Sequence, residues 1–167
     1  MAGLNAPSFM ANGNIYPAAF VKLDTTSAKN FQVIQCVGST GGTTANSLAD
    51  RPIGISQDAS YGTPGLQNQG TLYAAAAGQP IQVFGEADVC LLQISTTAGV
   101  TAGDYLTPDP AAGAGTKNGF GLTIAFTQTV ADATHGIFHG AVSLETAAAG
   151  ELCRVVVKIG FLPQISA

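Results

Sequence analysis

The chain has 167 residues, a net charge of −4 and only 10% charged side chains, against roughly 25% in an ordinary soluble domain. The length suffices for one domain with its own core. The six basic residues (Lys22, Lys29, Arg51, Lys117, Arg154, Lys158) are scattered and Trp is absent, which argues against the phosphate-neutralising stripe and stacking platforms of a nucleic-acid binder. No apolar run approaches the roughly 20 residues of a membrane-spanning helix, so neither nucleic acid nor membrane is an expected partner.

The first segment, residues 1–14 (MAGLNAPSFMANGN), carries no charge. It lacks the basic and apolar regions of a secretory leader, and the expected compartment is the cytoplasm or a particle assembled there. Extended, it reaches roughly 45–50 Å at about 3.3–3.6 Å per residue, far enough to lie on a neighbouring subunit. Ordering costs about 1–2 kcal/mol per residue, which so polar a segment does not recover by folding on itself. The expectation is an extended N-terminal arm over residues 1–14 with Leu4, Phe9 and Met10 as protein-contacting anchors and Tyr16 next to them. A single β domain then spans residues 15–167.

Strand signals fill that domain. Residues 20–23 (FVKL) and 31–37 (FQVIQCV) form a first pair joined by a polar turn. A short strand follows at 52–56, where Gly54 on one face signals close approach of another backbone. Further strands are expected at 81–85, 88–95, 105–107, 122–127 and 137–144. The clearest alternation is at 152–161 (LCRVVVKIGF), with Arg154 and Lys158 outward and Val155, Val157 and Ile159 inward. The best helical stretch is 72–77 (LYAAAA), stopping at Gly78. Residues 38–46, 57–71 and 108–121 read as surface loops. Short strands at this spacing predict an all-β fold, an antiparallel β-barrel or sandwich with short or no helices.

Reactive groupings are sparse. Cys36, Cys90 and Cys153 are far apart and lack metal or disulfide spacing, and Cys153 reads as a small buried apolar side chain. His135 and His139 on a strand would stand about 13 Å apart, too far for one metal ion. Gly38 to Gly42 lacks the Lys-Ser/Thr of a phosphate loop. Asp104, Asp109 and Asp132 sit beside Gly or Pro, where Asp favours local backbone bonding. No catalytic residue, cofactor or metal is expected. What remains is a surface of Ala, Gly, Thr, Ser, Asn and Gln that costs little to desolvate and suits burial against other protein.

Four phrases carry a resemblance: RPIGI (51–55), GQPIQVFG (78–85), AGDYL (102–106) and AGELCRVVV (149–157). In this order, on a small-residue-rich β chain, they resemble the capsid decoration, or cement, proteins of tailed phages. The likeness spans most of residues 15–161 and leaves out the arm and the 108–121 loop. It implies a tulip-like β domain without an active site, bound to the outer surface of the mature capsid. Its partners would be the major capsid protein and its own copies, a trimer before a dimer. The competing expectation is a receptor- or glycan-binding β-domain of a phage fibre or spike, for which Tyr16, Tyr61, Tyr73 and Tyr105 are available. A small hydrolase using Asp104, Asp132 or His135, and a major shell subunit, fit the chain less well.

Overall fold

Every strand expected beyond residue 15 forms, and two sheets result. The computed structural model describes residues 9–25, 31–36, 51–57, 73–109, 119–124 and 137–162. The first sheet contains β1 (Phe9–Ala11), β2 (Phe20–Leu23), β3 (Gln32–Gln35), β4 (Gly54–Ser56), β5 (Pro80–Ile81) and β6 (Val83–Phe84), in the order β5-β1-β3-β2-β4-β6. The second contains β7 (Val89–Gln93), β8 (Tyr105–Pro108), β9 (Gly121–Thr123), β10 (Ile137–Ser143) and β11 (Leu152–Leu162), in the order β7-β11-β10-β8-β9. No helix occurs among the described residues, and none is long and apolar enough to cross a membrane. The fold is all-β.

Both sheets curl toward closure. β5 and β6 stand at opposite edges of the first sheet, yet only Gln82 separates them. One run of chain therefore pairs with β1 through its first half and with β4 through its second. Ala11, Ile15, Val21, Val33, Ala74, Ala75, Ile81 and Val83 fill this narrow barrel. In the second sheet a parallel bridge joins Ile94, just past β7, to Gly121 in β9. The Ser95 N–H donates to the Gly121 carbonyl there at 2.8 Å. The second core holds Cys90, Leu92, Ile94, Leu106, Ala141, Val155 and Val157, together with Phe20 and Ile55 from the first sheet. Side chains alternate across a strand, so β2 gives Val21 to one core and Phe20 to the other.

Two glycines permit this packing. A Cβ on Gly54 would lie 2.2 Å from the Phe84 carbonyl oxygen, which bears out the close backbone approach expected there. A Cβ on Gly140, beside the register shift in β10, would lie 2.5 Å from Phe20 Cε1.

Four strands start from one repeated turn. It occupies residues 76–79 (AAGQ), 85–88 (GEAD), 101–104 (TAGD) and 148–151 (AAGE), directly before β5, β7, β8 and β11. In each, the N–H of the first residue donates to a side-chain oxygen of the fourth, at 2.9, 2.9, 2.8 and 3.0 Å. The N–H of the fourth returns to the carbonyl of the first, at 3.0, 3.1, 3.0 and 3.2 Å. The third residue has positive φ: Gly78 82°, Ala87 70°, Gly103 94°, Gly150 84°. A fifth turn, 16–19, has Ala18 at φ 51° but ends in Ala19, which has no side-chain oxygen. Its caps come from elsewhere. Gln35 Oε1 accepts the Tyr16 N–H at 2.9 Å, and Ser56 Oγ accepts from the Ala19 N–H at 3.0 Å while donating to the Tyr16 carbonyl at 2.7 Å. The residues preceding these turns pair across the molecule, Ile15 with Ala75 and Val100 with Ala147.

Four expectations change. Phe9 to Ala11, expected within the arm, is β1 of the chain's own sheet, parallel to β3 and antiparallel to β5. The sheets are consequently not purely antiparallel. The alanine run is not helical, because Ala74 and Ala75 are fully buried and their N–H groups bond to the Ile15 carbonyl; tertiary pairing overrides local propensity. Pro108 and Asp109, assigned to a surface loop, are buried, Pro108 as the last residue of β8. The expected loop at 38–46 and most of the one at 57–71 lie outside the described residues.

Gly54→Ala must push against main chain, so it is expected to cost about 3 kcal/mol, lowering Tm by roughly 6–12 °C for a chain of this size. Gly85→Ala meets nothing within 4 Å and should leave Tm unchanged or slightly higher. Calorimetry on the two variants checks the pair.

Candidate interaction surface

Of the expected anchors, Phe9, Met10 and Tyr16 lie among the described residues, and each makes contacts within the chain's own fold. Phe9 is half-buried against the barrel core. Met10 is 39% exposed, and its N–H donates to the carbonyl of Phe31, itself 67% exposed. Leu4 lies outside the described residues. The Tyr16 ring sits 5.2 Å from Tyr73 and 6.1 Å from Phe120, and burial, then Tyr73, pushes its phenol pKa up. Tyr73 and Tyr16 are thus brought together, whereas Tyr105 packs elsewhere, against His139; Tyr61 lies outside the described residues.

The groups with chemical potential are occupied structurally. Cys36, Cys90 and Cys153 are buried thiols outside any disulfide, and burial pushes the Cys153 thiol up, as an unreactive apolar side chain requires. No group of three or more His, Cys, Asp or Glu among the described residues could hold a metal ion. His135 and Asp132 lie outside those residues. Asp104 does bond its local backbone, accepting the Thr101 N–H, and it also accepts the Thr123 hydroxyl at 3.1 Å. Asp109 departs from that pattern. It is fully buried and accepts the hydroxyls of Ser95 and Thr97 from another segment.

All seven acidic residues among the described residues accept a hydrogen bond from the protein. Asp88, Asp104 and Glu151 cap turns. Glu86 and Glu145 take the N–H groups of Ile159 and Arg154 on β11 at 2.7 and 2.8 Å. Asp24 takes the Asn12 amide and Asp109 the two hydroxyls. These carboxylates serve the main chain and neighbouring side chains as well as solvent.

The outward face of the second sheet is correspondingly apolar. Register places Val89 opposite Val156, Val156 opposite Val142, and Val142 opposite Tyr105. Leu91 stands opposite Arg154 in the adjoining row, and the Leu144 N–H donates to the Arg154 carbonyl. Leu152 follows opposite Gln93. Val89, Leu144 and Leu152 are 57, 47 and 49% exposed. Two cations, Arg154 and Lys158, stand on this face, the latter 5.6 Å from the Tyr105 ring. Sequence reading took β11 as polar outside and missed this row, although Val156 between Arg154 and Lys158 was its signal.

No family model and no curated protein matches the chain. Among solved structures it is similar to the N base of the head fiber protein gp8.5 of bacteriophage phi29, at 15% identity over 90% of this chain and 91% of that chain, with a TM-score of 0.44. At that TM-score the likeness carries neither fold nor role across to this chain.

His139 makes stability pH-dependent. Its ring is buried, Nδ1 lies 2.8 Å from the Lys158 carbonyl, and a Cβ on Gly160 would touch Nε2 at 2.5 Å. Burial lowers its pKa below 6.5; the Lys158 carbonyl opposes this, the Lys158 ammonium adds to it and Glu86 opposes it. A group with a lowered folded pKa favours its neutral form, so this contribution is complete above 6.5 and is lost as pH falls from there toward the folded value. The urea midpoint should therefore drop between pH 7.5 and 5.5, and His139→Phe should flatten that dependence.

Proposed function

We propose that this chain is a structural protein of a phage virion, a decoration (cement) protein bound to the outer surface of the mature capsid. It acts there by holding neighbouring capsomers together through contacts with the major capsid protein and with its own copies, as a trimer. The observation that carries the reading is the half-exposed Val89, Leu144 and Leu152 on a chain with so few ions. Covering a half-exposed Val or Leu gains about 1 kcal/mol, and few charges must be stripped of water in return. Three linked copies then act by effective concentration, since release requires all three to let go. Binding the mature shell alone stabilises that state by mass action. The RPIGI, AGDYL and AGELCRVVV phrases of the decoration-protein pattern support the same reading, as strands and a capped turn. Because β1 belongs to the chain's own sheet, any clasp on a neighbour falls to residues 1–8 with Leu4.

A second reading, a receptor- or glycan-binding domain of a fibre or spike, gains one observation: Tyr16, Tyr73 and Phe120 form a cluster that sequence spacing did not bring together. Saturable binding on a glycan array, lost in Tyr73→Ala, would favour it.

Co-sedimentation with empty mature capsids separates the two. The wild-type chain should pellet with the shell. Leu144→Asp combined with Leu152→Asp should cut the bound fraction at least tenfold at unchanged Tm. A monomer that never co-sediments overturns the capsid reading.

A further inference from the structure

A groove of about 350 Å³ opens where the first sheet meets β11, lined by Lys22, Leu23, Thr25, Arg51, Pro52, Ile53 and Ile159. Its size is at the lower end for ligand sites, room for a few side chains. Four lining residues are apolar and two are cations.

Arg51 is the informative one. Its guanidinium carbon lies 5.8 Å from the centre of the Phe138 ring, and Phe138 packs on Phe161 at 5.1 Å. The aromatic pair holds the guanidinium in place before any ligand arrives, which reduces the ordering cost of binding. No carboxylate among the described residues pairs with it, although the chain as a whole is acidic. Asp24, next to Leu23 in the chain, accepts from Asn12, and Glu86 accepts from the Ile159 N–H. An exposed, positioned and unpaired guanidinium at an apolar groove is a carboxylate receptor.

We propose that this groove binds an extended acidic segment of a partner polypeptide. A Glu or Asp side chain sits against Arg51, and apolar residues two positions away pack on Leu23, Pro52, Ile53 and Ile159. Alternation suits an extended chain, because side chains at i and i+2 share one face. The inference concerns the isolated protein and stands or falls independently of the capsid reading.

The test uses a short fluorescein-labelled peptide of repeated Glu-Ser-Leu-Ser, which sets Glu and Leu two positions apart on one face, and its twin with Gln in place of Glu, titrated with the full chain and read by fluorescence anisotropy. The Glu peptide should bind saturably and weaken with added salt, and the Gln peptide should bind about tenfold more weakly or worse. Arg51→Glu should weaken the Glu peptide at least tenfold at unchanged Tm, with Arg51→Lys intermediate because an ammonium lacks the planar fork. Leu23→Ser should weaken both peptides. Equal binding of the two peptides, undiminished binding by Arg51→Glu, or no saturable binding of the Glu peptide would each overturn the proposal. The peptide comparison needs no variant to fold.

Discussion

The main chain at Gln82 is the point on which closure of the first sheet depends. There a single run of chain leaves β1 and takes up β4, so its backbone groups lose the ladder for one residue. Gln57 supplies both replacements. Its N–H donates to the Gln82 carbonyl at 3.0 Å, and its Oε1 accepts the Gln82 N–H at 3.2 Å. The same residue reaches Ala74 through Nε2 and takes the Ala18 N–H on its carbonyl. A sheet edge left open invites pairing with other chains. Closing the sheet through this switch removes that problem for the first barrel. It also explains Gly54: the strand crossing over at β6 comes so close to β4 that only hydrogen fits between them.

The same demand for main-chain partners accounts for the unusual surface. Where a strand begins, the chain must reverse, and the first residue of the turn has an N–H outside the ladder, while the N–H of the positive-φ residue bonds to another segment. Gln79, Asp88, Asp104 and Glu151 provide the acceptor from the turn itself. A chain with few acids thus directs them to backbone N–H groups rather than to a solvating coat. The exception tests the rule: Ala19 has no acceptor to offer, and Gln35 and Ser56 are brought in from two other strands to do that work. Low charge content and turn geometry are two consequences of one economy of polar groups.

How much of this was legible in the sequence depended on range. The alternation at 152–161 located β11 and its inward residues, since a strand's faces are written in its own residues. The Gly-acid phrases at 103–104 and 150–151 marked turns for the same local reason. β1 was not legible: three residues with a parallel neighbour from β3 carry no local pairing signal, and an uncharged segment looked like a free arm. The alanine run misled because helix propensity is local, whereas Ala74 and Ala75 are chosen for a narrow barrel interior. Of the four anchors, Tyr16 was placed in an aromatic contact, but with Tyr73 and Phe120 of its own chain. The groove escaped notice altogether, because Lys22, Arg51 and Ile159 meet only once the two sheets do.

The electrostatic character that a partner meets therefore differs from what net charge suggests. Formal charge is −4, yet each described carboxylate already accepts a hydrogen bond from within the protein, which lowers the gain from one more donor. Arg51, Arg154 and Lys158 are exposed, two of them on the apolar face of the second sheet and one at the groove. Guanidinium and ammonium groups on apolar ground present donors that the fold has not used up. A partner surface complementary to them is apolar with carboxylates set into it, and such a surface would meet the outward face of the second sheet through area and the groove through directed charge. The two sites would then contribute differently. The face supplies non-directional burial that tolerates small shifts of register, while Arg51 fixes position, because a planar fork accepts a carboxylate in few orientations.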